Sequence, residues 1–459
     1  MTDNNSYEDI SRRRYLLTGG AAGAAMVGLA GCTGNSNNQT TTKSGTTTSK
    51  QSSGETTTSG NGGGGQSYNT LEIQHWWTGG DGADAIKALM AGFEKKYPDI
   101  KVKQNPVAGG AGQNLHTVIK KRILNDNPPS SWQAWPGKNL TPFTNANKLA
   151  DIESDVWDKN GMKDAYLEGP KQAAKPAGNY VTVPLNIHRL NNLFYNVPVV
   201  KKAGVDPSSI KKPSDLLDAM KQVENKTDAV GMAQQTKSGW STLQLWVEVL
   251  IGEHGLDTYK KFYSGNTSAV ESQMKDAFDI VKQYKQYFNE DAGSIDWTQA
   301  NTKIIDGKAA FFHQGDWAAG MYRSQSNFEF KKDWNQVPYP GTTGLYVINM
   351  DSFPFPKNNP SPEATKKFLQ FCGSVEGQKL FNPKKGSIPP RTDVPKDAFD
   401  AFSQRQMDQF KNSKAQPMST THGLTTPPDV LTSLKDATAT FVSNWDANQA
   451  YKQFSQSFS

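Results

Sequence analysis

Between Leu71 and Trp77 apolar and polar residues alternate (Leu-Glu-Ile-Gln-His-Trp-Trp), and a period of two over residues that suit a pleated surface predicts a short β-strand. Thr78-Gly79-Gly80 breaks it. From Ala83 to Tyr97 the period lengthens, with Ile86, Leu89, Met90 and Phe93 on one helical stripe. The pair Trp76-Trp77 therefore falls at the carboxyl end of a first strand, where open α/β sheets bind ligands. Adjacent strand residues point to opposite faces, so one of the two rings is left to face away from the core.

The pattern continues with a second strand over Ile100–Lys103 and a turn at Ala108–Gly112. A helix over Leu115–Leu124 is stopped by Asn127-Pro128-Pro129, and a short strand from Trp132 runs into Pro136-Gly137. The Gly-rich turn has neither the Lys-Ser/Thr of a phosphate loop nor the spacing of a dinucleotide fingerprint. Alternating strands and helices predict a parallel, helix-covered sheet. Tyr180–Asn196 is the longest strand-like run; Pro184 interrupts it and polar groups sit inside its apolar setting, as in a crossing between lobes. Helices are expected over Pro213–Lys226, Leu243–Ile251, residues 270–289, from Asp296-Trp297 onward and over Pro362–Gly377. Strands are expected at Lys308–Phe312, leading to Gly315-Asp316-Trp317, and at Val347–Asp351. His422 lies in an irregular stretch before the terminal helices, and no internal repeat is visible.

The first residues carry a different signal. Met1–Arg14 is polar and ends in Arg12-Arg13-Arg14, and Tyr15–Gly31 is weakly apolar and rich in Ala and Gly, which reads as an export signal. Ser11–Leu17 resembles a twin-arginine signal and Leu29-Ala30-Gly31-Cys32 a lipobox, whose cleavage would leave Cys32 lipidated; an uncleaved signal anchor is the alternative. Residues 33–67 are mostly Ser, Thr, Gly, Asn and Gln, too polar to offset chain entropy, and read as a disordered tether. Its random-coil reach is about 30 Å for roughly 35 residues. Asn38-Gln39-Thr40 matches the glycosylation acceptor pattern.

Composition narrows the chemistry. The net charge of +6 is modest and scattered over 459 residues, which argues against a nucleic-acid partner. The two cysteines, Cys32 and Cys372, form no disulfide framework if the first is lipidated. Six scattered histidines show no metal spacing, no Gly-x-Ser-x-Gly elbow occurs, and no carboxylate pair is set apart for glycosidic chemistry; no catalytic residue, cofactor or metal is expected. Eleven tryptophans stand out, several beside Asp, Asn, Lys or His at strand ends and helix starts. Flat rings cover the C–H face of a sugar while charged and amide groups fix its hydroxyls.

From about Leu71 to Phe458 the chain resembles the solute-binding proteins of ABC sugar importers, and within them the glucose/galactose-binding subgroup. The resemblance rests on Trp76-Trp77, Gly109–Gly112, Asn127-Pro128-Pro129, Val183–Arg189, Gly307–Ala310, Gly315-Asp316-Trp317 and Asn382–Ile388, in shared order and spacing. It implies an α/β, periplasmic-binding-protein-like fold of two lobes joined by a multi-segment hinge with the ligand cleft between them. The expected lobes are discontinuous: residues 68–185 with 310–350, and residues 190–308 with 355–459. The implied protein is an extracellular, lipid-anchored monomer that captures a sugar, glucose by preference with galactose or mannose as alternatives, and delivers it to permease subunits. A secreted carbohydrate-active enzyme and a sugar-sensing receptor adaptor are the competing readings.

The subgroup's sugar pocket, carried over by position, takes Trp76 or Trp77 and Asp81 from the first strand end. Gln133 and Trp135 follow two apart on one strand face; Trp135 stands where subgroup members have Lys or His, so stacking is open to it in place of hydrogen bonding. Trp297 and Trp317 match rings that enclose the sugar, Asn349 and Asp351 a pair on one side of a strand, and Lys385 and His422 the two basic positions. Asp316 reads as a turn or cap residue, Trp240 and Trp246 as core or lobe interface, and His188 and Arg189 as lobe-crossing structure.

Overall fold

The computed structural model describes residues 69–109 and 112–459. The export signal, Cys32 and the tether lie outside the described residues. β1 (Thr70–His75) continues through α1 (Gly80–Lys96) to β2 (Lys101–Pro106), and through α2 (Gln113–Leu124) to β3 (Ser131–Trp132). β1 pairs in parallel with both neighbours, in the order β2-β1-β3. The charges of α1 suit its dipole, with Asp81 in the first turn and Lys95 and Lys96 in the last. Its stripe of Ile86, Leu89, Met90 and Phe93 is buried, Phe93 meeting Phe368 and Phe371 edge-on. Each such buried side chain contributes about 1.5–3 kcal/mol. Gly112, with φ +91, supplies the left-handed turn into α2.

The long run at 180–196 resolves into β4 (Thr182–Pro184), β5 (His188–Arg189) and β6 (Asn192–Asn196). Pro184 can donate no ladder hydrogen bond, and a strand there must end or change partner. β6 enters the second lobe, where β7 (Val230–Ala233) is followed by α3 (Gly239–Tyr263), interrupted at Gly255. Then come α4 (Glu271–Tyr284), α5 (Trp297–Ile305), β8 (Ala309–Gln314), α6 (Ala318–Arg323) and β9 (Trp334–Pro338), completing a sheet in the order β7-β8-β6-β9. The chain returns through β10 (Ile348–Asn349), antiparallel to β5, and β11 (Ser352–Pro354), antiparallel to β4. α7 (Pro362–Cys372) and α8 (Val375–Lys385) follow, and α9 (Pro428–Asn444) and α10 (Ala447–Gln456) end the chain.

Two α/β lobes with separate apolar cores result. Leu71, Ile73, Phe93, Trp157, Phe353, Phe368 and Phe381 share one core. Trp246 lies in the other, stacked on Phe278 at 4.7 Å and meeting Phe454 edge-on at 4.8 Å. The lobe segments differ from expectation in two places. Residues 309–338, expected in the first lobe from 310 onward, pair with β6 and β7 in the second sheet. Residues 355–385, expected in the second lobe, pack on the first: Phe355, Phe368 and Phe381 join its core. Sheet pairing decides the first case, with β6 pairing to strands more than a hundred residues on, and core packing decides the second. Among the described residues no helix is long and apolar enough to cross a membrane.

Candidate functional site

The carboxylate of Asp351 sits at the junction of β10 and β11, buried and held by amides on both oxygens. Gln133 Nε2 donates to Oδ1 at 2.9 Å and Asn186 Nδ2 to Oδ2 at 2.9 Å; His188 Nε2 stands 3.6 Å from Oδ2. The Asp351 N–H donates to Asn186 Oδ1 at 2.7 Å, so the backbone is fixed as well as the side chain. Gln133 in turn accepts from the Trp76 N–H at 3.0 Å, tying the end of β1 to the same carboxylate. Burial pushes the Asp351 carboxyl up, but hydrogen bonds from His188 and Asn186 and the charges of His188 and Lys385 outweigh it and hold it below the usual carboxylate range. The other ring nitrogen of His188 bonds the Asp316 carboxylate, whose second oxygen accepts the Arg189 N–H at 2.9 Å. Burial drives His188 down and Asp316 drives it up, with a net rise above the ordinary histidine value. One imidazole therefore stands between two buried carboxylates.

A line of rings runs beside this centre. Trp76 meets His116 at 5.8 Å and Trp135 at 5.4 Å; Trp135 meets His422 at 5.2 Å; His422 meets Trp317 at 5.7 Å; Trp317 meets His188 at 5.2 Å, all edge-on. Gly315 lets the Trp317 ring fold back over its own strand end, because a Cβ there would stand 2.2 Å from that ring. His422 accepts or donates at Nδ1 with Ser419 (3.1 Å) and Thr421 (2.9 Å), and burial pushes its pKa down to about 3. It serves as a neutral imidazole, not as the basic group expected. Lys385, the other basic position, pairs with Asp81 at 2.5 Å and lies 6.0 Å from the Trp317 ring. Both partners of that pair are buried, and stripping one would leave the other uncompensated, at a cost of about 3–5 kcal/mol. Asp81 comes from the first turn of α1 and Lys385 from the last of α8, so each charge sits where its helix dipole favours it.

The sequence-predicted residues are brought together unevenly. Trp76, Asp81, Gln133, Trp135, Trp317, Asp351, Lys385 and His422 form one connected set. Trp77 turns into the first lobe's core, 5.0 Å from Phe381 and 6.1 Å from Phe353; it is the core-facing member of the pair. Trp297 opens α5 as a half-buried ring packed against the second lobe's core, and among the described residues no ring pair links it to the line of rings. Trp135 carries the Lys435 ammonium over one face of its ring at 5.4 Å. Asn349 and Asp351 do not share a strand face: Asn349 ends β10 opposite His188, and the chain changes partner before β11. Asn349 is buried nonetheless, and its Oδ1 has no protein partner. Asp316, expected as a cap, is a fully buried acceptor.

Several polar residues escaped the sequence reading. Gln234 and Gln235 follow β7, Gln314 ends the parallel strand β8, and Gln244 lies in the second turn of α3. All four are buried with an amide atom left unpaired, although Gln244 Nε2 donates to Gln314 Oε1 at 3.1 Å. For Gln234, Gln235 and Gln314 the signal was their place at the ends of apolar strands, where open sheets take ligands. His116 and Lys435 carry no such local signal, and Asn186 and His188 lay within the Val183–Arg189 motif without being read as site residues. Among the described residues no group of three or more His, Cys, Asp or Glu could hold a metal ion.

Comparison with known proteins places the chain in a family. The chain is 42% identical over 439 residues to the xylose/arabinose-binding protein XacG of Haloferax volcanii, covering 95% of this chain and 94% of the relative. It is 30% identical over 380 residues to a probable sugar-binding periplasmic protein of Brucella suis, covering 81% and 87%. Among solved structures it resembles the bacterial solute receptor AcbH, described with a preference for β-D-galactopyranose, at a TM-score of 0.74 and 18% identity over 85% of this chain and 97% of that one; this likeness speaks to fold alone. Residues 79–379 match the family described as bacterial extracellular solute-binding protein. The chain is a member of that family, a binding protein of the ABC sugar-import type and not an enzyme.

Proposed function

We propose that the protein captures a monosaccharide between its lobes by hinge closure and hands it to the permease of an ABC importer. What carries the reading is Asp351: a buried carboxylate oriented by Gln133 from one lobe and by Asn186 and His188 on the crossing strands, at one end of a wall of rings. A carboxylate held this way accepts from two neighbouring hydroxyls without reorganising, and each charge-assisted hydrogen bond contributes about 1.5–3 kcal/mol. Trp76 and Trp317 supply apolar faces, and the Asp81–Lys385 pair supplies an acceptor and a donor at the lobe boundary. Glucose is the sugar implied by the resemblance, with galactose or mannose as its epimers. A pentose is the second reading, supported by the name of the Haloferax volcanii relative. We propose further that export follows the twin-arginine route and that lipidated Cys32 and the tether hold a monomer at the outer face of the membrane.

Isothermal titration against hexoses, pentoses and disaccharides tests this. Saturable binding of one monosaccharide, weakened about ten- to hundredfold in Asp351→Ala, is expected. Failure of a correctly folded protein to bind any sugar overturns the reading, and turnover of an oligosaccharide overturns it in favour of an enzyme.

A further inference from the structure

Lys435 points from the second lobe's α9 to the ring of Trp135, which belongs to the first lobe's strand end, with its Nζ 5.4 Å from the ring centre. The Trp135 ring is almost enclosed: Trp76, His116 and His422 meet it edge-on at 5.4, 5.3 and 5.2 Å, and 5% of the residue is exposed. The ammonium lies over one face. Among the described residues no carboxylate forms an ion pair with Lys435; its chain neighbour Asp436 is exposed and acts on it only through space. The cleft's other charges are committed elsewhere, Asp81 to Lys385 and Asp351 to Gln133, Asn186 and His188.

The surroundings leave this charge alone on its wall. From α2, His116 is pushed down to about 4, by burial and then by the Lys435 charge; from the 419–424 segment, His422 is pushed down to about 3 by burial and by the same charge. Both imidazoles are neutral near pH 7. The first turns of α3, where Gly239 lies against the Lys435 carbonyl, carry no charged side chain. A π face engages an ammonium but satisfies only part of its three donors. His116 Nε2, whose ring meets Trp135 edge-on, is buried without a partner, while Lys435 itself is half-buried.

We propose that Lys435 is a specificity-determining residue of this cleft: closure carries its ammonium across to the Trp135 wall, where it donates to a hydroxyl or ring oxygen of the bound sugar. This rests on the sugar-binding reading above and adds a cation that the sequence carry-over did not contain. Burial pushes the Lys435 pKa down to about 8, with Asp436 working in the opposite direction. A ligand oxygen that satisfies the ammonium raises that value again. Sugar binding then takes up a proton above about pH 8, and affinity falls as pH rises through that point.

The test is titration with the sugar found to bind, across pH, for the unsubstituted protein, Lys435→Met and Lys435→Arg. Lys435→Met is expected to lose about ten- to hundredfold in affinity near pH 7 and to lose the alkaline fall. Lys435→Arg keeps a stacked, permanently charged donor, so affinity should return to within about threefold with no alkaline fall. Equal binding by Lys435→Met, or an alkaline fall that survives in it, overturns the role of Lys435 while the unsubstituted protein's binding leaves the sugar reading standing. A protein that binds no sugar before any substitution overturns the sugar reading instead.

Discussion

Asp351 is gripped before any ligand arrives, and His188 does part of the gripping. The imidazole lies between Asp316 and Asp351, with Lys385 the nearby cation opposing its charge. Because the folded state raises the His188 pKa above 6.5, its charged form contributes stability that is fully present below 6.5 and is lost as pH rises through the folded value. Glu248 drifts the same way: buried with both oxygens unpartnered, it is pushed up to about 8, so the native state holds a proton that the unfolded chain has released. The two are separated by substitution. In His188→Gln the unfolding free energy near pH 6 should fall by about 3–5 kcal/mol, since Asp316 is left buried without its cation. Its further decline as pH rises above about 6.5 should be shallower than in the unsubstituted protein. Denaturant titrations at matched pH read both. Parallel pH curves for the two proteins would show that His188 is neutral in the fold.

At the scale of elements, α6 of the second lobe touches α1 of the first through a glycine. A Cβ on Gly320 would stand 2.4 Å from Asp81 Cβ, closer than real Cβ contacts come. Gly320→Ala should therefore obstruct closure without disturbing either lobe's core: sugar affinity drops at least about tenfold while the unliganded unfolding free energy stays within about 0.5 kcal/mol. A variant that binds normally would mean that the closed arrangement tolerates a wider gap. What the sequence revealed follows the range of the forces involved. The β1 alternation and the α1 stripe are local, and both elements are where the period puts them. The parity of Trp76 and Trp77 was readable, but which ring faced the cleft depended on Phe353 and Phe381, hundreds of residues away. His422 read as basic from its residue type, whereas burial makes it neutral. The segments 309–338 and 355–385 were exchanged between lobes because the strand partners of the one and the core contacts of the other are long-range, and no local period encodes them.

For the whole molecule, the consequence of two separate cores is that a sugar in the cleft must act on both. The lobes are joined by the β4–β11 and β5–β10 pairs and by the passage after α8, where Ile388 bridges to Ile187. These few crossings are short strands, so their bending costs little beside the contacts that closure makes. On the proposed reading, a ligand held by Gln133 from the first lobe and by Gln314, Trp317 or Lys435 from the second would stabilise the closed form by its differential affinity for that form. It stabilises the native state by about 2.7 kcal/mol at a free concentration 100 times its dissociation constant. Denaturant unfolding followed by hydrogen exchange at the β1 and β8 amides distinguishes the routes, because β1 lies in the first lobe's sheet and β8 in the second's. With saturating sugar both signals should move together to higher denaturant, as expected when one ligand clamps two lobes. If only one signal moves, the sugar is held by a single lobe, and hinge closure is not how this protein retains it.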